Sequence, residues 1–315
     1  MPQSPPDIRV VSLLPSATEI VCALGLQEYL VGVSHECDYP ARVAGLPVVT
    51  NTAIPKGLDS KAIDEKVREL LQTDAALYHL DMDALLALKP SHIVTQALCD
   101  VCAVSAAEVE DVVCRLPDKP QIVNLEPMSL PQVLDTFTLL GSATQRESEA
   151  ASVVQALQFR VDVIAEHSAA IADKDKPRVA MLEWIDPLFN AGHWTPELVA
   201  MAGAIDCLGS LNQPSVSLAD NALHEAQPDV LFIALCGFDL LRTEQDLPLL
   251  ERLPGWADLP CVREGRVYYT DGNAYFSRAG PRLVESLEIL AHALHPEVHP
   301  LSPSGDVAET WLKYS

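Results

Sequence analysis

Basic side chains are scarce in this chain. Lysine and arginine number 21 against 44 aspartates and glutamates, a formal net charge of −23. Gripping phosphates takes a basic surface, so nucleic acid is not an expected partner. An anionic membrane surface is disfavoured on the same ground. Long apolar runs are missing too: nothing approaches the roughly 20 apolar residues that span a bilayer, and no membrane insertion is expected. The opening, MPQSPPDIRVVSLLPS, has neither a basic n-region nor a long h-region. From that opening the expected location is cytoplasmic, or periplasmic if a signal has been removed. No G-x-G-x-x-G, P-loop or nucleophile elbow occurs.

What is present supports a sizeable fold. At 315 residues and 49% hydrophobic content, the chain can build two lobes, each with its own core. Eight cysteines stand at 22, 37, 99, 102, 114, 207, 236 and 261. That many thiols risk mispairing in an oxidising compartment, which adds to the cytoplasmic expectation.

The chain is organised around Arg9–Pro40, RVVSLLPSATEIVCALGLQEYLVGVSHECDYP. Arg9–Leu14 is short, apolar and rich in β-branched residues, as suits a buried parallel strand. Pro15 lacks the N–H that a ladder needs. Ser16 or Thr18 is placed to cap the next helix, Ile20, Val21, Ala23 and Leu24 give it a buried face, and Gly25 suits its C′ stop. Tyr29–Val33 returns as a strand and leaves a polar loop bearing His35, Glu36, Cys37 and Asp38.

Similar alternation predicts helices over Asp59–Leu71, from Asp81 or Asp83 to Leu88, Ala106–Cys114 and Ser129–Leu140, with strands at Ser91–Thr95 and Gln121–Leu125. From Gln145 to about Ala172 no Gly or Pro interrupts a helix of roughly 40 Å. Beyond it lie strands at Arg178–Glu183, Asp229–Leu235 and Arg266–Thr270. Helices are predicted over Thr195–Ala202, opened by Thr195-Pro196, and over Leu247–Leu253 and Pro281–Leu294. The fold class is α/β, with two Rossmann-like lobes of parallel sheet over 1–144 and 175–295. One long helix within 145–174 joins them, a ligand cleft lies between them, and a tail over 296–315 wraps the surface.

The stretches SLLPSATEIVCALGL…LVGVSHECDYP, LLALKPSHIVTQ, EAQPDVLFIALCG and FSRAGPRLVESLEILAHAL, in this order, resemble one family. It is the substrate-binding proteins that serve ABC importers of vitamin B12, haem and iron–siderophores, and the likeness is nearest to the B12-binding members. The resemblance implies the class III periplasmic-binding-protein fold, a ligand such as cobalamin or a related corrinoid, and an ABC permease as partner if the chain is exported. It also implies cleft aromatics near the positions of Glu36, Trp184 and Tyr275, of which the last two keep that character here. Asp83 and Asp220 or Asn221 fall near the places where exported relatives dock on the permease.

Loops that follow parallel strands collect the candidate ligand-binding residues Pro15, Ser16, Glu36, Trp184, His193, Trp194, Cys236, Asn273, Tyr275 and Arg278. Aromatics are only 5% of the chain, yet Trp184, Phe189, Trp194, Tyr275 and Phe276 lie in or beside these loops. Flat aromatic faces suit a planar macrocycle. The alternative rests on sulfur: His35, Cys37, Cys99 and Cys102 are a candidate Zn²⁺ set, with Glu36 and Asp100 as acid or base for a metal- or thiol-dependent enzyme. Reduced bystander cysteines are the plainer reading of the same residues. His35 is also a candidate axial ligand to the metal of a macrocycle.

Overall fold

The computed structural model describes residues 8–73, 76–96, 106–300 and 311–314. They separate into two compact units, the first drawn from 1–58, 65–127 and 131–156, the second from 59–64, 128–130 and 157–315.

The first unit opens with strand β1 (Val10–Ser12), helix α1 (Pro15–Ala23) and strand β2 (Leu30–Val33). Strand β3 (Thr50–Thr52) precedes helix α2 (Ser60–Gln72), whose first turn is assigned to the second unit. Then follow β4 (Tyr78–Leu80), α3 (Met82–Leu88), β5 (His92–Thr95), α4 (Ala106–Arg115), β6 (Gln121–Asn124) and α5 (Leu130–Ala143). The main sheet has the order β2-β1-β5-β6 and is parallel throughout. A strand covered on both faces is buried throughout, as β1 is, and its one polar side chain, Ser12, is hydrogen-bonded there. Val11, Leu13, Leu85, Ile93, Val109 and Val112 form the core beside it. Strands β3 and β4 pair antiparallel as a separate two-stranded sheet.

Helix α6 (Glu147–Ala169) begins in the first unit and passes into the second after Ala156. The second unit continues with β7 (Arg178–Trp184), β8 (Phe189–Asn190), α7 (Thr195–Met201), β9 (Ile205–Asp206), α8 (Ala222–Ala226) and β10 (Val230–Ile233). It ends with α9 (Leu240–Asp246), α10 (Pro260–Arg263), β11 (Val267–Thr270), α11 (Leu283–Leu294) and β12 (Trp311–Lys313). The order is β12-β11-β10-β7-β8, with β9 also on β7. Its centre is parallel, but β12 and β8 run antiparallel to their neighbours. The sheet is therefore mixed at its margins, and the tail that was expected to wrap the surface supplies an edge strand. Leu182, Leu231, Ile233, Leu235, Leu250 and Trp256 fill its core.

Both sheets have a switch point where the strand order reverses, between β1 and β5 and between β7 and β10. In open α/β sheets, ligands bind beyond the carboxyl ends of the strands at such points. The loops that matter are those after β1, β2 and β5, and those after β7, β10 and β11.

Several caps differ from the sequence reading. Pro15 sits at N1 of α1, and neither Ser16 nor Thr18 caps it. Trp194, not Thr195, is the N-cap of α7. At the first N–H of α5, Leu130 donates to the Glu197 carboxylate at 2.8 Å. Asp81 does cap α3, accepting from the Ala84 N–H at 2.9 Å. Gly25, at φ +72°, ends α1 as expected. Its N–H reaches Cys22 O at 3.1 Å while Leu26 N–H reaches Val21 O at 3.1 Å, the paired bonds of a Schellman stop.

Candidate functional site

In the first unit, Pro15 and Ser16 lie at the carboxyl end of β1, where α1 starts, and Ser16 is buried. Thr18 turns inward: its hydroxyl donates to Ser12 Oγ at 2.8 Å, and Ser12 in turn donates to Leu14 O at 3.1 Å. The same Thr18 oxygen is 3.1 Å from Cys37 Sγ, and Ser34 Oγ is 3.4 Å from it. Glu36 N–H donates to Ser34 Oγ at 3.3 Å and Cys37 N–H to Ser34 O at 3.2 Å. The loop after β2 is thus a bonded turn fastened to α1.

His35 is held by Thr50 of β3. Thr50 Oγ1 accepts the His35 backbone N–H at 3.0 Å and lies 2.7 Å from Nδ1. Nε2 is buried without a hydrogen-bond partner, with Glu36 Oε1 at 4.0 Å. Tyr78 of β4 stacks obliquely on the ring at 5.5 Å and donates to Glu36 Oε1 at 3.4 Å. Burial, and then the charge of Lys56, push the His35 pKa down and favour neutral imidazole.

Cys99, Asp100 and Cys102 lie outside the described residues. Of the sulfur set, His35 is engaged with Thr50 and Cys37 with Thr18 and Ser34. Among the described residues, no group of three or more His, Cys, Asp or Glu side chains is arranged to hold a metal ion.

In the second unit, Trp184 ends β7. Its indole N–H donates to Asp186 O at 3.1 Å and Ser60 O at 3.2 Å, and its ring lies 4.9 Å from Phe238. Cys236, after β10, is exposed, and its N–H continues the ladder to Glu183 O at 3.0 Å. Gly272 packs on the Leu235 backbone, where any Cβ would collide with the carbonyl. That approach brings the loop after β11 onto the loop after β10, and Asn273 N–H donates to Phe238 O at 3.0 Å. Asn273 Oδ1 accepts from Arg278 Nη2 at 2.9 Å, and Arg278 is only 6% exposed. Tyr275 is buried under the Arg282 guanidinium, 5.8 Å from the ring centre. His193 takes φ +54°, faces Trp194 at 5.5 Å, and has its pKa lowered by burial. Trp194 is buried, with its N–H on Phe276 O at 2.7 Å.

Three polar residues here escaped the sequence reading. Tyr78 stacks on His35 from a strand with no motif. Glu183 lies inside a strand, where burial pushes its carboxyl up against the opposing hydrogen bonds from Ser215 and Gly192. Asp271 accepts the Ala274 N–H at 2.7 Å, and burial raises it likewise. Only Asp271 carried a sequence signal, an acidic residue opening a turn directly after a strand.

The family model for periplasmic binding proteins matches residues 10–274, most of the chain. The chain belongs to that family. It is a substrate-binding protein of the kind that serves ABC transporters, not an enzyme. A Bacillus subtilis (strain 168) relative, the uncharacterized ABC transporter substrate-binding lipoprotein YvrC, is 25% identical over 92% of this chain and 80% of its own. Among solved structures, the periplasmic heme-binding protein RhuT from Roseiflexus sp. RS-1 matches with TM-score 0.69 and 22% identity, over 92% of this chain and 99% of that one. The periplasmic vitamin B12-binding protein BtuF of Vibrio cholerae matches with TM-score 0.67 and 18% identity, over 93% and 98%. These likenesses show the α/β fold expected from the sequence.

Membership corrects the location: a periplasmic binding protein works outside the cytoplasm, and the cytoplasmic expectation is overturned. The cysteine argument behind it weakens for part of the set, although Cys114 and Cys236 are exposed. Cys22 and Cys261 are buried and Cys207 is half-buried, and burial pushes Cys207 and Cys261 to about 11. Thiols held protonated and out of solvent react slowly, whatever the compartment.

Proposed function

We propose that the chain binds a metal-centred macrocycle, cobalamin or a related corrinoid first and heme second, and delivers it to an ABC permease. The family supports a small-molecule ligand and a permease, and two solved relatives are described as binding heme and vitamin B12. The observation that carries the reading further is the His35 ring. It is oriented through Nδ1 by Thr50 while Nε2 has no hydrogen-bond partner. A ring fixed through one nitrogen and unmatched at the other is how metal-ligating histidines are usually held. Nε2 is buried, so ligation there requires the side chains around it, Glu36 among them, to give way.

Titration of reduced, metal-free protein with hydroxocobalamin, and separately with hemin, tests this by visible absorbance. A saturable band shift with one ligand identifies it. His35→Ala should change the band position of the complex, and Trp184→Ala should weaken binding several-fold with the band retained. No saturable change with either ligand overturns the reading.

A further inference from the structure

Four histidines gather where α6 ends and the chain leaves α11. His167 is in the last turn of α6, His292 in that of α11, and His295 and His299 follow α11. Three of them pin the segment after α11. His292 Nδ1 bonds His299 O at 2.7 Å, His295 Nε2 bonds Gly203 O at 3.0 Å, and His299 Nε2 meets Ser168 Oγ at 3.0 Å. His167 stacks on His299 with ring centres 5.9 Å apart. His299 is 4% exposed, and its Nδ1 is buried with no partner.

We propose that this cluster is an acid-released latch, which holds residues 295–300 against the end of α6 at neutral pH and lets them go when His299 gains a proton. With both ring nitrogens protonated, Nδ1 carries an N–H with no acceptor, so the charged form is stranded in the docked state. Among the described residues, the titratable groups acting on it are His167 from α6, His295 after α11 and His292 from α11, all of one sign, with no carboxylate opposing them. From the end of α7, the Gly203 carbonyl meets the segment at His295.

Burial first, then these three neighbours, lowers His299 from 6.5 to about 4. Undocking restores the ordinary value, so docking is complete above 6.5 and is lost as pH falls toward 4. The docking equilibrium should fall on the order of 10²-fold across that window. Nothing in ligand binding requires this latch, and its failure would leave the proposed function standing.

Hydrogen exchange of the Val298 and His299 amides, both bonded to His295 O, reads the latch directly. Corrected for intrinsic rates, their protection should drop about 100-fold between pH 7 and pH 4, while the core amides of β10 stay protected. His299→Gln, which keeps a partner for Ser168 without a titrating ring, should leave protection independent of pH. If that variant misfolds, His167→Gln serves: it removes one repelling neighbour and should raise the His299 titration midpoint, followed by NMR. An ordinary His299 midpoint near 6.5 with unchanged protection overturns the proposal. So does a His299→Gln protein that keeps the acid response.

Discussion

Single residues in this chain are set by backbone geometry and burial. Gly25 and Gly272 make the contrast. Gly25 takes φ +72° with open space around its missing Cβ, so Gly25→Ala meets only backbone strain and should cost about 1 kcal/mol in urea denaturation. At Gly272 the Leu235 carbonyl stands in the way, and alanine should cost about 2 kcal/mol or more and loosen the loop bearing Asn273. Glu183 gives a pH prediction. Its folded-state pKa is raised, so its stabilisation is complete below the ordinary value of 4.5 and is lost as pH rises through the folded value. Glu183→Gln should therefore have a flatter profile and exceed the parent at pH 7, measured as urea midpoints from pH 4 to 8. Gly25 could be read from the sequence, because a glycine after an apolar helical run has one common use. Glu183 could not, because nothing local to a carboxylate in a strand says what will cover it.

At the scale of elements, long periodic segments were legible and short ones were not. The amphipathic pattern over Asp59–Leu71 and the run without Gly or Pro over Gln145–Ala172 correspond to α2 and α6 within three residues at each end. Strands β8 and β9 have two residues each and are made by pairing with distant segments, β7 above all, so no periodicity could reveal them. The Thr195-Pro196 pair misled because Trp194 is fixed by its bond to Phe276 O, and tertiary packing moved the cap back by one residue. In the candidate site, the meeting of the α1 start with the His35 loop followed from strand order, whereas the role of Thr50 did not, since β3 joins no parallel sheet. Helix α6 is tied to α11 by a fork of two bonds, Arg160 Nε to Glu288 Oε1 at 2.8 Å and Nη2 to Oε2 at 2.6 Å. Both side chains are partly shielded, so a double-mutant cycle of Arg160→Ala and Glu288→Ala should return about 1 kcal/mol of coupling. Zero coupling would mean that the pair is solvated out.

The whole molecule carries its excess of acid as self-repulsion. With 44 acidic and 21 basic side chains, unfolding relieves crowding of like charge, and salt screens it. The melting temperature should rise by several degrees between about 10 mM and 0.5 M NaCl, the reverse of what a fold held mainly by surface ion pairs would do. Scanning calorimetry at fixed pH checks this. The placement of β12 also has a meaning in time. Residues 311–313 close the margin of the second sheet beside β11, so that margin stays bare while everything before them leaves the ribosome. A nascent chain halted ahead of residue 311 would present the unpaired backbone of β11 to its neighbours, which is how strand edges begin to aggregate. For this protein, the last strand in chain order protects an edge built from residues made more than forty positions earlier.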